Sequence, residues 1–283
     1  MFAVTAATGH LGRLAIESLL KKVPATEVVA IVRNPAKAAD LGVEVRQADY
    51  DHPEALEAAL TGIDRALLIS SDNFERRVQQ HRNVIAAAEK AGVSLLAYTG
   101  LIHCDQWTVP FAEDHKVTEQ DLASSSLPTV VLRNGWYWEN HTQGLRGAIA
   151  AGALAGAAGD GRIAWAARRD LAEGGIAVLT GDGHAGKIYE LAGDSSYTLA
   201  DLADEVSRQT GKAIAYRNMP EAAFAGFLEQ VVQFPAPLAA LLAETEAKGL
   251  GNGLTEERSG TLSRLIGRPT TTLADAVASA LAN

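Results

Sequence analysis

The fold of this chain is decided by its opening segment, Phe2-Ala3-Val4-Thr5-Ala6-Ala7-Thr8-Gly9-His10-Leu11-Gly12. It starts as a short apolar strand and passes through a turn with the spacing G-x-x-G-x-x-G, in which Ala6 takes the first glycine position. Residues 11–22 then repeat apolar side chains at the spacing of one helix face. A strand that enters a helix through such a turn is typical of a dinucleotide-binding unit, because the helix N-terminus offers N–H groups to a pyrophosphate.

An ordinary tight strand–helix connection would also use glycine here. The context favours the dinucleotide interpretation, since a second apolar strand at 27–32 follows the helix directly. The methyl group of Ala6 is a departure that narrows the backbone conformations at the tightest point of the turn. The residues that we expect to contact the cofactor here are Ala6, Ala7, Thr8, Gly9, His10, Leu11 and Gly12.

Strand and helix patterns alternate through the first half of the chain. The further predicted strands are 43–45, 66–69, 93–98 and 129–132, and the predicted helices between them are 36–41, 53–61, 75–91 and 114–124. Near-continuous apolar strands separated by helices indicate a parallel sheet covered on both faces. We therefore predict an α/β fold with a Rossmann-type, doubly wound parallel sheet.

The residues after about 140 are richer in glycine and alanine and carry more helical patterns. One of these is a helix that we expect to be capped by Asp170 and to run toward Gly181. We predict that 1–140 forms the NAD(P)-binding domain. The segment 141–283 would complete the sheet and form a smaller, mainly helical substrate lobe.

The end of the second predicted strand bears on the choice of coenzyme. Arg33 lies 21 residues beyond Gly12, where an acidic residue would bind a ribose 2′-hydroxyl and an arginine would bind a 2′-phosphate. Lys37 adds a second positive charge. NADPH is therefore the predicted cofactor, with a solvated surface arginine as the alternative. Asp49 could contact the adenine edge or cap a loop.

Charge and composition exclude several classes of function. The chain has 25 Lys and Arg against 34 Asp and Glu, a formal charge of -9, which argues against binding to nucleic acid or anionic lipid. Its longest uncharged, mostly apolar run, 147–159, is too short to span a bilayer, and the N-terminus does not resemble a signal peptide. The single Cys104 excludes an internal disulfide and a multi-cysteine metal site. We expect a cytoplasmic protein with no metal and no membrane insertion.

The Tyr-x-x-x-Lys pair of short-chain dehydrogenases is missing, since Tyr98 is followed four residues later by Ile102. His115 and Glu119 lie one turn apart on a predicted helix and could form a hydrogen-bonded pair, or simply belong to a polar helix N-terminus. No catalytic residue is assigned, and Tyr98 and His115 stay open as proton donors.

Several stretches, in collinear order, resemble the NmrA-like, atypical short-chain dehydrogenase family. They are 4–12, 30–37, 45–50, 68–71, 80–85, 132–137, 189–195 and 265–267. The resemblance implies that NADPH lies along 6–12, near Arg33, and against loops that follow two of the predicted strands. The implied loop residues are Ser70, Ser71, Asp72 and Asn73, and then Asn134, Gly135, Trp136, Tyr137, Trp138 and Glu139.

The same resemblance implies reduction of a quinone, with a small planar acceptor as the partner. A quinone is already electrophilic and needs little acid assistance, so the missing tyrosine–lysine pair is compatible with this activity. Trp107, Phe111, Trp136 and Tyr137 are the candidates for a wall that stacks the acceptor, although packing between sheet and lobe is the alternative. A redox sensor that binds NADP(H) without turnover, a reductase of dyes, imines or enones, and a homodimer all stay open.

Overall fold

A computed structural model describes residues 1–282 of this chain. The strands are β1 (Phe2–Val4), β2 (Val28–Val32), β3 (Glu44–Gln47), β4 (Arg65–Leu68), β5 (Leu95–Leu101), β6 (Thr129–Asn134), β7 (Ala153–Gly156), β8 (Ile188–Leu191) and β9 (Ala215–Asn218). The helices are α1 (His10–Leu20), α2 (Pro53–Leu60), α3 (Arg77–Ala91), α4 (Pro110–Ser124), α5 (Trp138–Thr142), α6 (Leu145–Ala151), α7 (Arg168–Thr180), α8 (Leu199–Thr210), α9 (Glu221–Gln230), α10 (Ala236–Glu244), α11 (Thr261–Ile266) and α12 (Leu273–Ala282). Short 3₁₀ turns occur at Ala25–Glu27, Pro35–Ala38 and Cys104–Gln106, and a π-helical turn at Thr245–Leu250.

Seven strands form one parallel sheet in the order β3-β2-β1-β4-β5-β6-β8. The chain runs outward from β1 to β3 and then returns to the other side of β1 with β4. This reversal is the topological switch point, where open α/β sheets bind ligands beyond the carboxyl ends of their strands. The predicted Rossmann-type fold is therefore confirmed.

Both faces of the sheet are covered, as its apolar strands require. All residues of β2 and β5 are buried. On one face α1 directs Ala15, Ile16 and Leu19 inward and packs against α7. On the other face α2, α3 and α4 cover a second apolar cluster that includes Leu56, Val84 and Leu122.

The segment beyond 140 contributes to two structures. The helix α7 and the strand β8 belong to the large sheet and its helical layer. The strands β7 and β9 pair in parallel in a small separate sheet, which packs with α8 and α6. The boundary at 140 stays a prediction.

The sequence patterns do not predict β7, α5, α6 or α11. They also start α4 too late, because Pro110 occupies the first helical turn, where its missing N–H is not needed. The predicted cap at Asp170 is wrong, since Ala167 is the N-cap of α7. Asp170 is buried in the first turn, where it accepts hydrogen bonds from the Arg268 guanidinium at 2.7 Å and the Thr271 N–H at 2.7 Å.

Candidate functional site

The turn between β1 and α1 is tight enough to need glycine at one position. A Cβ on Gly12 would lie 2.4 Å from the Ala6 carbonyl oxygen, which real Cβ atoms do not approach. Ala6 itself has φ +46°, in the left-handed region, and its carbonyl accepts the Gly9 N–H at 2.9 Å. A left-handed alanine costs about 1–2 kcal/mol relative to glycine. The departure from the glycine pattern therefore appears as backbone strain.

The N-terminus of α1 is suited to an anion. Gly9 is its N-cap, no side chain caps it, and its first turn carries no acidic residue. Gly9 and His10 are exposed. The first N–H groups of the helix and its dipole therefore face solvent at the carboxyl end of β1, as pyrophosphate binding requires.

The cations beyond β2 differ in their pairing. Arg13 forms an ion pair with Asp40 at 2.8 Å. In contrast, neither the Arg33 guanidinium nor the Lys37 ammonium makes a hydrogen bond or ion pair with any residue of 1–282. Arg33 is exposed, and its backbone carbonyl accepts from Gln47 at 3.1 Å. Two unpaired cations thus lie where a 2′-phosphate is expected.

The loop after β3 is ordered by its own side chains. Asp49 accepts the Asp51 N–H at 3.1 Å, which is the loop-cap geometry. The Tyr50 hydroxyl is buried, donates to the Ile69 carbonyl at 2.9 Å and also contacts Thr5 Oγ1. Burial raises the pKa of Tyr50 well above 10. Tyr50 therefore joins the ends of β1 and β4 beside the predicted cofactor turn.

The loop after β4 is held by hydrogen bonds to side chains of α3. The Ser71 N–H donates to His81 Nε2 at 3.0 Å, and the Ser71 carbonyl accepts from Arg77 Nε at 2.8 Å. Ser70 is half-buried, while Asp72 and Asn73 are exposed. The predicted cofactor loop thus presents its outer side to solvent.

The segment after β6 holds two buried polar atoms without partners. Asn134 Oδ1 and Trp136 Nε1 are buried, and neither has a hydrogen-bond partner within residues 1–282. Gly135 passes so close to β8 that a Cβ there would lie 2.9 Å from the Leu191 carbonyl. Orphaned buried polar atoms are costly, and at the carboxyl end of a central strand they fit a ligand that supplies the missing partners.

The rest of this segment packs against the protein. Trp138 is 2% exposed and stacks on Trp165, with ring centroids 4.7 Å apart. The Glu139 carboxylate accepts the Arg168 N–H at 3.1 Å, at the start of α7. Tyr137 is half-buried and lies under the Arg168 guanidinium. These contacts give Trp138 and Glu139 structural partners, and a cofactor role for them stays a prediction.

Three of the four predicted wall aromatics contact one another. Trp107 stacks on Trp136 with centroids 6.4 Å apart and an interplanar angle of 22°. Phe111 meets the Trp107 ring edge-on at 5.8 Å. Tyr137 belongs instead to the apolar cluster on the α1 and α7 face of the sheet. The structure therefore assembles a wall of Phe111 and Trp136 against Trp107, which is 1% exposed and so packs in the core, and it places Tyr137 apart from them.

The two candidate proton donors bind each other. The Tyr98 hydroxyl and His115 Nδ1 are 2.7 Å apart in the core. Burial lowers the pKa of His115 well below 6.5 and raises the pKa of Tyr98 well above 10, so both groups are neutral near pH 7. Glu119 pairs with Arg133 at 2.8 Å, so the alternative of a His115–Glu119 pair is wrong.

The described residues show no reactive thiol, metal site or membrane-spanning helix. Burial and Glu119 raise the pKa of the Cys104 thiol to about 12, so it stays protonated. Within the described part of the chain, no three His, Cys, Asp or Glu side chains group as metal ligands would. Nor does any helix there combine the length and apolar character needed to cross a membrane.

Sequence reasoning missed the residues that support the predicted cofactor loops, namely Tyr50, Arg77, Gln80 and His81. The stretch 80–85 carries part of the family resemblance, but the sequence alone assigns it no role. A polar side chain in the middle of a helix that covers a sheet was the available signal, because such a group is buried only when it has a partner.

The comparisons agree with this geometry. Residues 6–181 match a family model described as NAD(P)H-binding. The chain is 50% identical over 280 residues to quinone oxidoreductase 2 of Escherichia coli strain K12, covering 98% of this chain and 97% of that protein. The crystal structure of the E. coli NADPH-dependent quinone oxidoreductase complexed with NADPH gives a TM-score of 0.96 at 50% identity over 100% of both chains. The triphenylmethane reductase of Citrobacter sp., complexed with NADP(H), gives 0.94 at 36% identity over 99% of this chain and 100% of that one.

Proposed function

Because this chain belongs to the NAD(P)H-binding, NmrA-like oxidoreductase family, we propose that it reduces quinones with NADPH by direct hydride transfer. The observation that carries the proposal is similarity over the whole chain to an NADPH-dependent quinone oxidoreductase, at 50% identity and a TM-score of 0.96. The match includes both halves of the molecule, and so covers the predicted acceptor wall as well as the cofactor turn. A similarity limited to the sheet would support the cofactor alone.

Three groups of residues in this chain bind three different parts of the cofactor. The turn 6–12 and the N-terminus of α1 bind the pyrophosphate through backbone N–H groups. Arg33, assisted by Lys37, binds the 2′-phosphate and selects NADPH over NADH. The loops 70–73 and 134–136 receive the nicotinamide half, where the unpartnered Asn134 and Trp136 atoms lie. When bound, the nicotinamide ring supplies the hydride.

The wall orients the acceptor and shields it from water. Phe111 and Trp136 are half-buried and offer flat apolar surface, on which a planar ring can stack. Trp107 is 1% exposed and supports the Trp136 ring from the core side. Trp136 Nε1 donates to a carbonyl oxygen of the quinone, which satisfies its buried N–H. No side chain is needed as a strong acid, because the hydroquinone anion takes its proton from water. The neutral Tyr98–His115 pair then packs in the core and takes no part in proton transfer.

The proposal includes a small-molecule acceptor and a cytoplasmic location. The formal net charge of -9 disfavours nucleic acid as a partner of the protein, and the lone Cys104 is consistent with a reducing compartment. A homodimer is compatible with the proposal and is decided by light scattering on the purified protein.

Stopped-flow absorbance tests the activity. With NADPH and 1,4-benzoquinone in excess over enzyme, nicotinamide absorbance at 340 nm should fall at a rate proportional to enzyme concentration. Gly12→Val, whose side chain cannot fit beside the Ala6 carbonyl, is the control that should not turn over. If calorimetry shows that the wild type binds NADPH but no quinone accelerates its oxidation, the hydride-transfer proposal is wrong and a dinucleotide sensor is the better explanation.

A further inference from the structure

Three neighbouring side chains of α3, Gln80, His81 and Asn83, hold the loops that follow β3 and β4, and we propose that they are positioning residues for the dinucleotide site. They touch no predicted ligand atom themselves. The inference rests on the proposed function, because it takes the loop 70–73 to contact NADPH. It gives a role to the stretch 80–85, which the proposed function leaves unused.

His81 fixes the Ser71 peptide through a defined tautomer. Its Nε2 accepts the Ser71 N–H at 3.0 Å, so this nitrogen carries no hydrogen. Its Nδ1 therefore carries the hydrogen and donates to Thr118 Oγ1 at 2.9 Å. The Thr118 hydroxyl in turn donates to the Asp114 carbonyl at 2.8 Å. The ring is completely buried, so water does not replace either bond.

The other polar groups of Ser71 are held from the same helix. Arg77 Nε donates to the Ser71 carbonyl at 2.8 Å, and the Ser71 hydroxyl is hydrogen-bonded to Gln80 Oε1. Gln80 is 4% exposed, and its Nε2 donates to Asp51 Oδ1 at 3.1 Å. A single side chain thus joins the loop after β4 to the loop after β3.

Asn83 completes the connection between the two loops. Its Nδ2 donates to the Tyr50 carbonyl at 2.8 Å, while the Tyr50 hydroxyl reaches the Ile69 carbonyl at the end of β4. The spacing of the loops 49–51 and 70–73 is therefore set by α3. The inner bonds of Ser71 go to α3, and the Ser70 N–H donates to Thr99 Oγ1 of β5 at 2.9 Å. Asp72 and Asn73 are exposed, so the outer side of the loop is left for a ligand.

A loop fixed before binding loses less conformational entropy when the ligand arrives. Replacing His81 should therefore weaken NADPH binding without removing a ligand contact. We expect His81→Leu to raise the Kd for NADPH about tenfold, which corresponds to the loss of one ordinary hydrogen bond. His81→Gln should restore most of the affinity, because its side-chain oxygen can accept the Ser71 N–H.

Calorimetric titration with NADPH, steady-state kinetics and amide hydrogen exchange test the proposal together. His81→Leu should raise KM for NADPH about tenfold, with kcat within about twofold, and should speed exchange of the Ser71 amide. Arg82→Leu on the same helix breaks only the exposed pair with Asp121 and should leave Kd unchanged. A general loss of stability would not give this separation or the rescue by glutamine.

The outcomes that overturn the proposal are distinct from failure of the proposed function. Wild-type Kd and wild-type Ser71 exchange in His81→Leu would show that the bond does not position the loop. A His81→Gln variant as weak as His81→Leu would do the same. If His81→Leu does not fold, Asn83→Leu, at a half-buried site, is tested by the same titration and should also weaken binding. Absence of NADPH binding by the wild type would instead overturn the proposed function.

Discussion

Acidification from pH 7 to pH 5 should destabilise the protein, because His81 and His115 are folded into sites that disfavour their charged forms. Burial, with a smaller contribution from Arg77, lowers the pKa of His81 from 6.5 to about 3. Burial also lowers the pKa of His115 well below 6.5. Between the folded and unfolded values, the unfolded chain binds protons that the folded chain does not. Stability is therefore complete above pH 6.5 and is lost as the pH falls toward the folded value.

The magnitude follows from the two values for His81. At pH 5, a site with a pKa of 6.5 unfolded and about 3 folded loses about 2 kcal/mol of stability relative to pH 7. His115 acts in the same direction, because burial also lowers its pKa. A loss of about 2 kcal/mol from His81 alone is already a large part of a typical free energy of unfolding. Carboxylates with lowered pKa values, such as Glu205 at about 2, act at lower pH and do not mask the effect.

Urea unfolding followed by circular dichroism at pH 7, 6 and 5 measures this loss. The double variant His81→Gln and His115→Gln keeps polar side chains at both sites but removes the titrating groups, so most of its pH dependence should disappear. A wild-type free energy of unfolding that changes by less than about 1 kcal/mol over this range, or an equal decline in the double variant, would refute the argument.

Three other changes have direct outcomes. Arg33→Glu should weaken NADPH binding by about 1–3 kcal/mol and shift the preference toward NADH. If calorimetry with both coenzymes gives an unchanged ratio of their Kd values, the 2′-phosphate assignment is contradicted. Ala6→Gly should raise the free energy of unfolding by about 1 kcal/mol, because glycine adopts the observed φ of +46° without strain, and urea titration would detect no gain if that strain is not present. Trp136→Phe should keep the stack on Trp107 but remove the indole N–H, and so lower kcat/KM for benzoquinone about five- to tenfold. Calorimetry should show an unchanged Kd for NADPH. Equal effects on kcat/KM and on Kd would instead assign the indole N–H to the cofactor.

The sheet could be predicted because its determinants are local. Each central strand is a run of apolar residues bounded by turn residues, and each crossing helix has its own apolar face. The strand β7 could not be predicted in this way. A Cβ on its Gly156 would lie 2.5 Å from Glu246 Oε1, so the tertiary contact favours glycine, a residue with poor strand propensity.

The candidate site divides in the same way. The phosphate turn and Arg33 follow from spacing along the chain, because the backbone itself places them at the ends of β1 and β2. The partners of Ser71 do not, since His81 reaches it from another element and depends in turn on Thr118, 37 residues farther along the chain. Likewise, the spacing of His115 and Glu119 on one helix allowed a pair, but His115 binds Tyr98 and Glu119 binds Arg133, both on neighbouring strands.

The turn itself shows which glycine of the pattern is indispensable. Position 6 supplies a left-handed backbone, which alanine adopts at a cost of about 1–2 kcal/mol. Position 12 must lack a side chain, because a Cβ there would lie 2.4 Å from the Ala6 carbonyl oxygen. The first is a conformational demand and the second a steric one, so only the first tolerates substitution. Ala6 can therefore reduce stability while the free N–H groups of α1 keep the direction that a pyrophosphate needs. Alanine at position 6 is compatible with cofactor binding because it costs only conformational energy. Alanine at position 12 would not be compatible, because its Cβ would clash with the backbone of the turn.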